Sequence, residues 1–276
     1  MPTLETDGAR ISYSREGRGP AVLLVQGVGI VGEGWRPQVD ALRGSFTVVC
    51  LDNRGIGGST LARGAEVSVE AMAADALAVM DAEGIDRFHL GGHSLGGVVA
   101  QRIALAAPRR VQSLALMCTF ARGRQGARIT WDILVAGLKT KIGTRRMRRR
   151  AFLELVMPRA HLDALPDVDA YARGLEPLFG HDLADQPAIA MKQLRALGRY
   201  DALDRLRALD VPTLVVSASG DRIALPAFGR ELASAIPGAR FVLIEDAGHG
   251  VTIHRPEAID DLLREHWAGA TTTIAA

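Results

Sequence analysis

The feature that most constrains this chain is a repeated alternation of short, continuous apolar runs with segments of helical periodicity. Ala21–Val25, Phe46–Leu51, Arg87–Leu90, Leu114–Cys118, Thr213–Ser217 and Arg240–Ile244 read as strands, and 35–42, 69–83, 95–107, 226–235 and 256–267 as helices. Such alternation builds β-α units around a parallel sheet. Because the runs are continuously apolar, the strands are expected to be covered on both faces. Residues 9–15 alternate polar and apolar after the turn Asp7-Gly8, so an antiparallel hairpin is expected to open the chain. The fold class is therefore α/β, with a mostly parallel, twisted sheet and helices on both faces.

From Phe120 to about Gly198 the pattern changes to arginine-rich helical segments broken at Pro158, Pro166, Pro177 and Pro187, with no convincing strand. We read 120–197 as an inserted helical cap, and 1–119 with 198–276 as the core. The last residues, Thr271–Ala276, are expected to fray. No internal repeat or low-complexity linker interrupts the pattern.

Composition removes several classes of function. With 33 Lys+Arg against 31 Asp+Glu the formal net charge is +2, and no basic face with interleaved aromatics appears, so no nucleic-acid partner is expected. No apolar run approaches the roughly 18 residues of a membrane helix, so no membrane partner is expected either. Residues 1–7 have neither a basic nor an apolar leader region, which leaves the cytoplasm as the default compartment. Cys50 and Cys118 each end an apolar run and have no neighbour at metal or redox spacing; they read as reduced, buried thiols.

The most informative stretch is Gly92-His93-Ser94-Leu95-Gly96, which follows a strand and opens a helix. A serine on a sharp strand-to-helix turn needs small neighbours, and Gly91, Gly92, Gly96 and Gly97 supply them. The turn exposes Oγ at a helix N-terminus, where developing negative charge is favoured. Serine is a weak nucleophile, so it needs a base and an acid that orients the base. Asp221, past the strand ending at Ser217, and His249, past the strand ending at Ile244, follow in the order nucleophile, acid, base. Both fall beyond strand C-terminal ends, the edge at which parallel sheets build their sites.

A competing signal is Gly27-Val28-Gly29-Ile30-Val31-Gly32, a formal G-x-G-x-x-G with Asp52 twenty residues beyond it. A dinucleotide helix would already be running through the third glycine, whereas Gly34 and Pro37 place the helix start near Trp35. This reading also leaves Ser94, Asp221 and His249 without a purpose. His89 and His93 are separated by a strand and a turn on this reading, so no zinc site is expected. His254 reads as a surface residue, and Arg145–Arg150 as a solvated face of a cap helix.

These motifs make nearly the whole chain resemble the α/β-hydrolase family. The resemblance implies Ser94 as nucleophile, Asp221 as acid and His249 as base. It also implies an oxyanion hole from the backbone N–H groups of Leu95 and Val28. Asp52-Asn53-Arg54-Gly55-Ile56-Gly57-Gly58-Ser59 resembles the family's turn after the second parallel strand, where Asp52 and Arg54 would fix loops. The family commonly has His-Gly where this chain has Gln26-Gly27, which makes Gln26 a candidate substrate contact, together with Trp131 of the cap. Trp131, Ile133, Leu134, Leu138, Phe152, Leu155, Met157, Leu178 and Phe179 are the cap's apolar residues, most of them expected to hold it together.

A serine nucleophile argues against epoxide hydrolases and haloalkane dehalogenases, which use aspartate. What the resemblance implies is a serine hydrolase of the carboxylesterase or enol-lactone hydrolase kind, acting through an acyl-enzyme on a small to medium-sized ester or lactone. It needs no cofactor and no metal. A carbon–carbon bond hydrolase, a thioesterase or a perhydrolase are the alternatives, the first disfavoured by His93 where such enzymes usually carry Asn. A non-hydrolytic lyase, a cofactor-free oxygenase or a ligand-binding protein is more remote. Oligomeric state is not legible, a homodimer being left open.

Overall fold

The computed structural model describes residues 1–126 and 131–274, with the side chains of 131–134 and 271–274 outside that description. Among the described residues the strands are β1 (Thr3–Thr6), β2 (Ala9–Gly17), β3 (Ala21–Val25), β4 (Thr47–Leu51), β5 (Thr60–Leu61), β6 (Phe88–His93), β7 (Val111–Met117), β8 (Thr213–Ala218) and β9 (Arg240–Ile244). They form one sheet in the order β1-β2-β4-β3-β6-β7-β8-β9, with β5 pairing β2. β1 and β2 make the expected hairpin, β2 pairs antiparallel with β4, and every pairing from β4 through β9 is parallel.

Residues of β4, β6 and β8 are buried along their whole length, as an interior strand covered on both faces must be. Helix α1 (Arg36–Leu42) packs with the long α13 (Pro256–Ile274), while α2 (Val69–Ala82) packs with α3 (Leu95–Ala106); α11 (Pro226–Ala235) lies against β8 and β9. Pro37 sits in the first turn of α1, where its missing N–H has no intrahelical acceptor to lose. Ser68 caps α2 by accepting from the Ala71 N–H.

Several boundaries differ from the sequence reading; β7, for one, begins at Val111 rather than Leu114. β6 continues through Gly91 and Gly92 to His93, because pairing with β3 on one side and β7 on the other overrides glycine's weak strand preference. His89 and His93 therefore lie on one face of one strand, with no turn between them. They still do not meet: His89 stacks on Trp267, while His93 meets the edge of Trp35. The last helix runs on to Ile274, well beyond the expected end at Trp267, so residues 271–274, read as frayed, are helical; 275 and 276 lie outside the described residues.

Between β7 and β8 the chain forms α4 (Gly123–Gly126), α5 (Trp131–Lys139), α6 (Arg145–Val156), α7 (Arg159–Asp163), α8 (Val168–Gly174), α9 (Glu176–Phe179) and α10 (Ala190–Arg199). This helical segment has its own apolar cluster, centred on Leu153, Val156, Met157, Leu162, Leu175, Phe179 and Leu183. Phe152, Leu155 and Leu178 pack against it, whereas Leu138 is 56% exposed. Ile30 and Ile223, from two loops of the sheet domain, and Ile253, from the short helix α12 (Val251–His254), pack against the same cluster.

Arg145, Arg146, Met147 and Arg150 are exposed, as a solvated face would be, but Arg148 and Arg149 are half-buried and most of the arginines are ion-paired. Arg149 reaches Asp169, Glu176 and Asp182, Arg145 reaches Asp182 and Asp185, Arg148 reaches Asp185, and Arg150 reaches Glu154 and Asp163. The run is an internal fastening of α6 to the rest of the helical segment. Its partners lie mostly 13 to 40 residues away, which a local sequence pattern does not reveal.

Asp260 of α13 is buried beside Gln38 of α1, with Oδ1 lacking a donor among the described residues. Burial, aided by Asp261 and Glu257 and opposed by Gln38 and Arg264, pushes its carboxyl up to about 6. Folding then retains a proton that the unfolded chain has already released, so stability is lost as pH rises from about 4 to about 6. We expect Asp260→Asn to raise the unfolding free energy by about 2 to 3 kcal/mol at pH 7.5 and by almost nothing near pH 4. Urea denaturation at the two pH values measures this directly.

Candidate active site

Because β3, β6, β7, β8 and β9 are parallel, their C-terminal ends open onto one edge of the sheet. The loop 26–29 follows β3, Ser94 follows β6, Asp221 follows β8 and His249 follows β9. Residues scattered over more than 220 positions therefore meet at that edge.

Ser94 links β6 directly to α3 with φ 55° and ψ −118°, a conformation that L-residues rarely adopt. Its N–H donates to the Met117 carbonyl at 3.0 Å, and its own carbonyl accepts from Thr119 Oγ1 at 2.7 Å. The turn tolerates no larger neighbours. A Cβ on Gly96 would lie 1.9 Å from the Val25 carbonyl oxygen, and one on Gly92 would lie 2.3 Å from the Gly96 carbonyl oxygen.

Ser94 Oγ donates to His249 Nε2 at 3.0 Å, and His249 Nδ1 donates to Asp221 Oδ2 at 2.8 Å. The other Asp221 oxygen accepts the N–H groups of Ile223 and Ala224, each at 2.8 Å. Burial pushes the Asp221 carboxyl up, but the His249 ring and these two amides outweigh it and hold the group below its ordinary value. Asp221 thus remains a carboxylate and fixes the tautomer whose Nε2 accepts from the serine.

His93, the residue before the serine, donates from Nε2 to the His249 carbonyl at 2.8 Å. Burial, reinforced by the neighbouring His249, lowers it to about 3, so it is a neutral, fixed donor that braces the His249 loop. His93, Cys118 and His249 place ligand atoms within 4.8 Å of one another. Both His249 nitrogens and His93 Nε2 are already engaged, and burial holds the Cys118 thiol well above its usual value. His93 Nδ1 has no partner among the described residues, but the His249 nitrogens are engaged and the Cys118 thiol is kept protonated, so the three do not form a free donor set for a metal.

The Leu95 N–H opens α3, and the Val28 N–H lies on the loop after β3, beside the serine turn. A Cβ on Gly27 would stand 3.2 Å from Ser94 Cβ. Neither amide donates to a protein acceptor among the described residues. Gln26 is buried; its Oε1 accepts from the Gly27 N–H at 2.8 Å, its carbonyl accepts from Asn53 Nδ2, and its Nε2 lacks an acceptor. Trp131, the other candidate substrate contact, has its side chain outside the described residues.

Asp52 is fully used by the backbone, accepting from Gly32 N at 2.7 Å and Gly58 N at 2.9 Å, so the carboxylate of the formal dinucleotide pattern is a loop brace. Arg54 makes a buried two-toothed ion pair with Asp75. His254, read as a surface residue, is half-buried: its ring lies 4.4 Å from that of His161 across the boundary with the helical segment, and burial lowers it to about 4.

The sequence reading missed three residues that contact the site's loops. Gln193 and His181 both bond to Gly29, and the Val156 carbonyl accepts from the Gly250 N–H at 2.8 Å. One signal was available for Gln193: it shares the buried face of α10 with Ala190, Ala196 and Leu197, a glutamine on an otherwise apolar stripe.

A sequence model of the alpha/beta hydrolase fold matches residues 20–256, and the chain belongs to that family. It is 30% identical over 269 residues to the pimeloyl-acyl-carrier-protein methyl ester esterase of Aeromonas hydrophila, covering 94% of this chain and 99% of that protein. Over 95% of its own length it is 35% identical to the polyketide synthase ThaQ of Burkholderia thailandensis, of which it spans 13%. Its fold is similar to that of the enol-lactonase from Burkholderia xenovorans LB400, with a TM-score of 0.79, 28% identity and coverage of 97% and 100%. Among the described residues no helix is long and apolar enough to cross a membrane.

The close approach at Gly96 is backbone to backbone, so no rotamer change relieves it. Gly96→Ala is expected to lower the thermal midpoint by at least several degrees, through overpacking of about 1 to 3 kcal/mol or more, and calorimetry checks it.

Proposed function

We propose that the protein is a serine hydrolase that cleaves a carboxylic ester or lactone of a small to medium-sized molecule through an acyl-enzyme. The observation that carries this reading is the hydrogen-bonded relay from Ser94 Oγ through His249 to Asp221, built on a serine held at φ 55°. His249 Nε2 takes the Ser94 proton as Oγ attacks the carbonyl carbon, and Asp221 holds the imidazolium that forms. The carbonyl oxygen becomes an oxyanion facing the Val28 and Leu95 N–H groups. The intermediate collapses as His249 gives its proton to the departing alkoxide oxygen. Water then loses a proton to His249, attacks the acyl carbon, and Ser94 leaves with that proton restored.

Hydrolysis of this kind needs neither metal nor organic cofactor, and its partner is the small substrate alone. Segment 120–197 would serve as the cap that shapes the pocket, with Gln26 and Trp131 among its contacts. The names of the esterase and enol-lactonase relatives are consistent with acyl chemistry at a carbonyl. A cytoplasmic setting fits the reduced, buried Cys50 and Cys118.

Incubation with a fluorophosphonate should add one phosphonyl group per chain, read by intact-protein mass, and none in Ser94→Ala or His249→Ala. Asp221→Asn should keep the fold but lose about 10⁴-fold in kcat on activated esters, because the ring is left in the wrong tautomer. An Ser94→Ala protein that hydrolyses esters and lactones as fast as the wild type would refute the reading.

A further inference from the structure

The oxyanion donor proposed on the β3 side, the Val28 N–H, belongs to a loop that Asn53 braces at Gln26 and Asp52 braces at Gly32, with Gly29 between the two braces. The adjoining residue, Gly29, has φ +73° and bonds only outward. Its N–H donates to Gln193 Oε1 at 2.9 Å, and its carbonyl accepts from His181 Nε2 at 3.2 Å. Both partners come from the helical segment, more than 150 residues along the chain. Gln193 is completely buried, so water does not replace its carbonyl without a rearrangement. On the opposite side of the serine, the Val156 carbonyl at the end of α6 accepts from the Gly250 N–H, next to His249. A Cβ on Gly248 would lie 2.6 Å from that same carbonyl oxygen.

We propose that Gln193 and His181 are positioning residues that aim the Val28 N–H, so that seating the helical segment and completing the oxyanion hole are one event. This rests on reading Val28 as an oxyanion donor. The Val28 N–H lies in the Gly27–Val28 peptide plane and the Gly29 N–H in the Val28–Gly29 plane; the two planes share the Val28 Cα, so holding Gly29 restricts the Val28 φ and ψ that relate the direction of the Val28 N–H to the fixed Gly29. Gly29 is free to take either sign of φ without steric cost, so an external constraint must choose. Gripping both the N–H and the carbonyl of one glycine removes that freedom. The amide gripped by Gln193 immediately follows Val28, and a shift of about 1 Å in a donor is enough to lose much of its effect on a developing charge.

The His181 ring carries a further constraint. Its Nδ1 lies 2.9 Å from the Asp182 carbonyl and its Nε2 3.2 Å from that of Gly29, so both partners are acceptors. A neutral ring donates to one of them at a time. Asp182 is in turn held by Arg149 and Arg145 of α6. The element that holds Gly250 is thereby fastened to the element that holds Gly29.

The test compares Gln193→Leu, which keeps the apolar bulk and removes the acceptor, with His181→Phe, which keeps the ring and removes the donor. Hydrolysis of p-nitrophenyl acetate, inhibition by a phenyl trifluoromethyl ketone and amide exchange at Gly29 are measured beside the thermal midpoint. We expect kcat to fall about 10- to 100-fold in Gln193→Leu, with KM within about threefold. Affinity for the ketone, whose hemiketal oxyanion occupies the hole, should fall by the same factor as kcat. Exchange at Gly29 should quicken at least about tenfold, the loss expected when a buried amide bond is removed. His181→Phe should follow the same pattern more weakly and decides the matter should the leucine variant not fold. A raised KM at unchanged kcat, or unaltered Gly29 exchange, would overturn the proposal. A wild type that takes no fluorophosphonate and hydrolyses no ester would instead refute the hydrolase reading, and Gly29 exchange would then decide the latch alone.

Discussion

A serine at φ 55° between β6 and α3, with backbone packed against backbone on both sides, is the constraint on which the remaining architecture hangs. The start of α3 lies so close to the end of β3 that Gly96 has no room for a methyl group beside the Val25 carbonyl. This approach is set by the parallel register of β3 and β6, which pairs Val25 with Gly92. The tight junction points Oγ outward at the sheet edge and leaves the first amide of α3 without an intrahelical acceptor. It also draws the loop after β3 alongside the serine. Strand order then dictates who can reach it: the carboxylate arrives from β8 and the imidazole from β9, on the same side as β7.

The His249 ring and its loop are held from several directions. Asp221 fixes the ring, His93 donates to the His249 carbonyl, and the neighbouring Gly250 is bonded to the end of α6. Asp221 is itself held by two amides of its own loop, which keeps a buried carboxylate ionised without exposing it. The cost of desolvating this carboxylate is offset by the three bonds it accepts, from His249 Nδ1 and the N–H groups of Ile223 and Ala224.

The helical segment between β7 and β8 does more than cover that edge. Its apolar cluster touches Ile30 and Ile223, from two loops that flank the site, and Ile253 of α12, just after His249. Its arginine network ties α6 to Asp182, the residue after His181. Single exposed ion pairs contribute little, but Arg149 and Asp182 are 12% and 14% exposed and share several partners. The network therefore acts as one fastening between the two places where the segment grips backbone beside the serine.

Much of this was legible in the order of residues. Continuous apolar runs mark strands covered on both faces, and G-x-S-x-G with Asp221 and His249 beyond later strands identifies the cluster, because periodicity and turn chemistry are local properties. What was misread depends on contacts between distant residues. His254 reads as exposed because it precedes the last helix, yet His161 from another element covers part of it. Arg145–Arg150 is largely exposed, as it reads, but its ion pairs were not legible because its acidic partners are remote in the chain. β6 reads as ending before its glycines because propensity knows nothing of the strands on either side. Gln193 and His181 carry no motif at all. The chain by itself determined the parallel α/β architecture and which side chains stand at its C-terminal edge, since these follow from hydrophobic period and chain order. Only the tertiary structure decided how the helical segment grips Gly29 and Gly250, because such bonds are made by backbone groups that every residue possesses and that only packing selects.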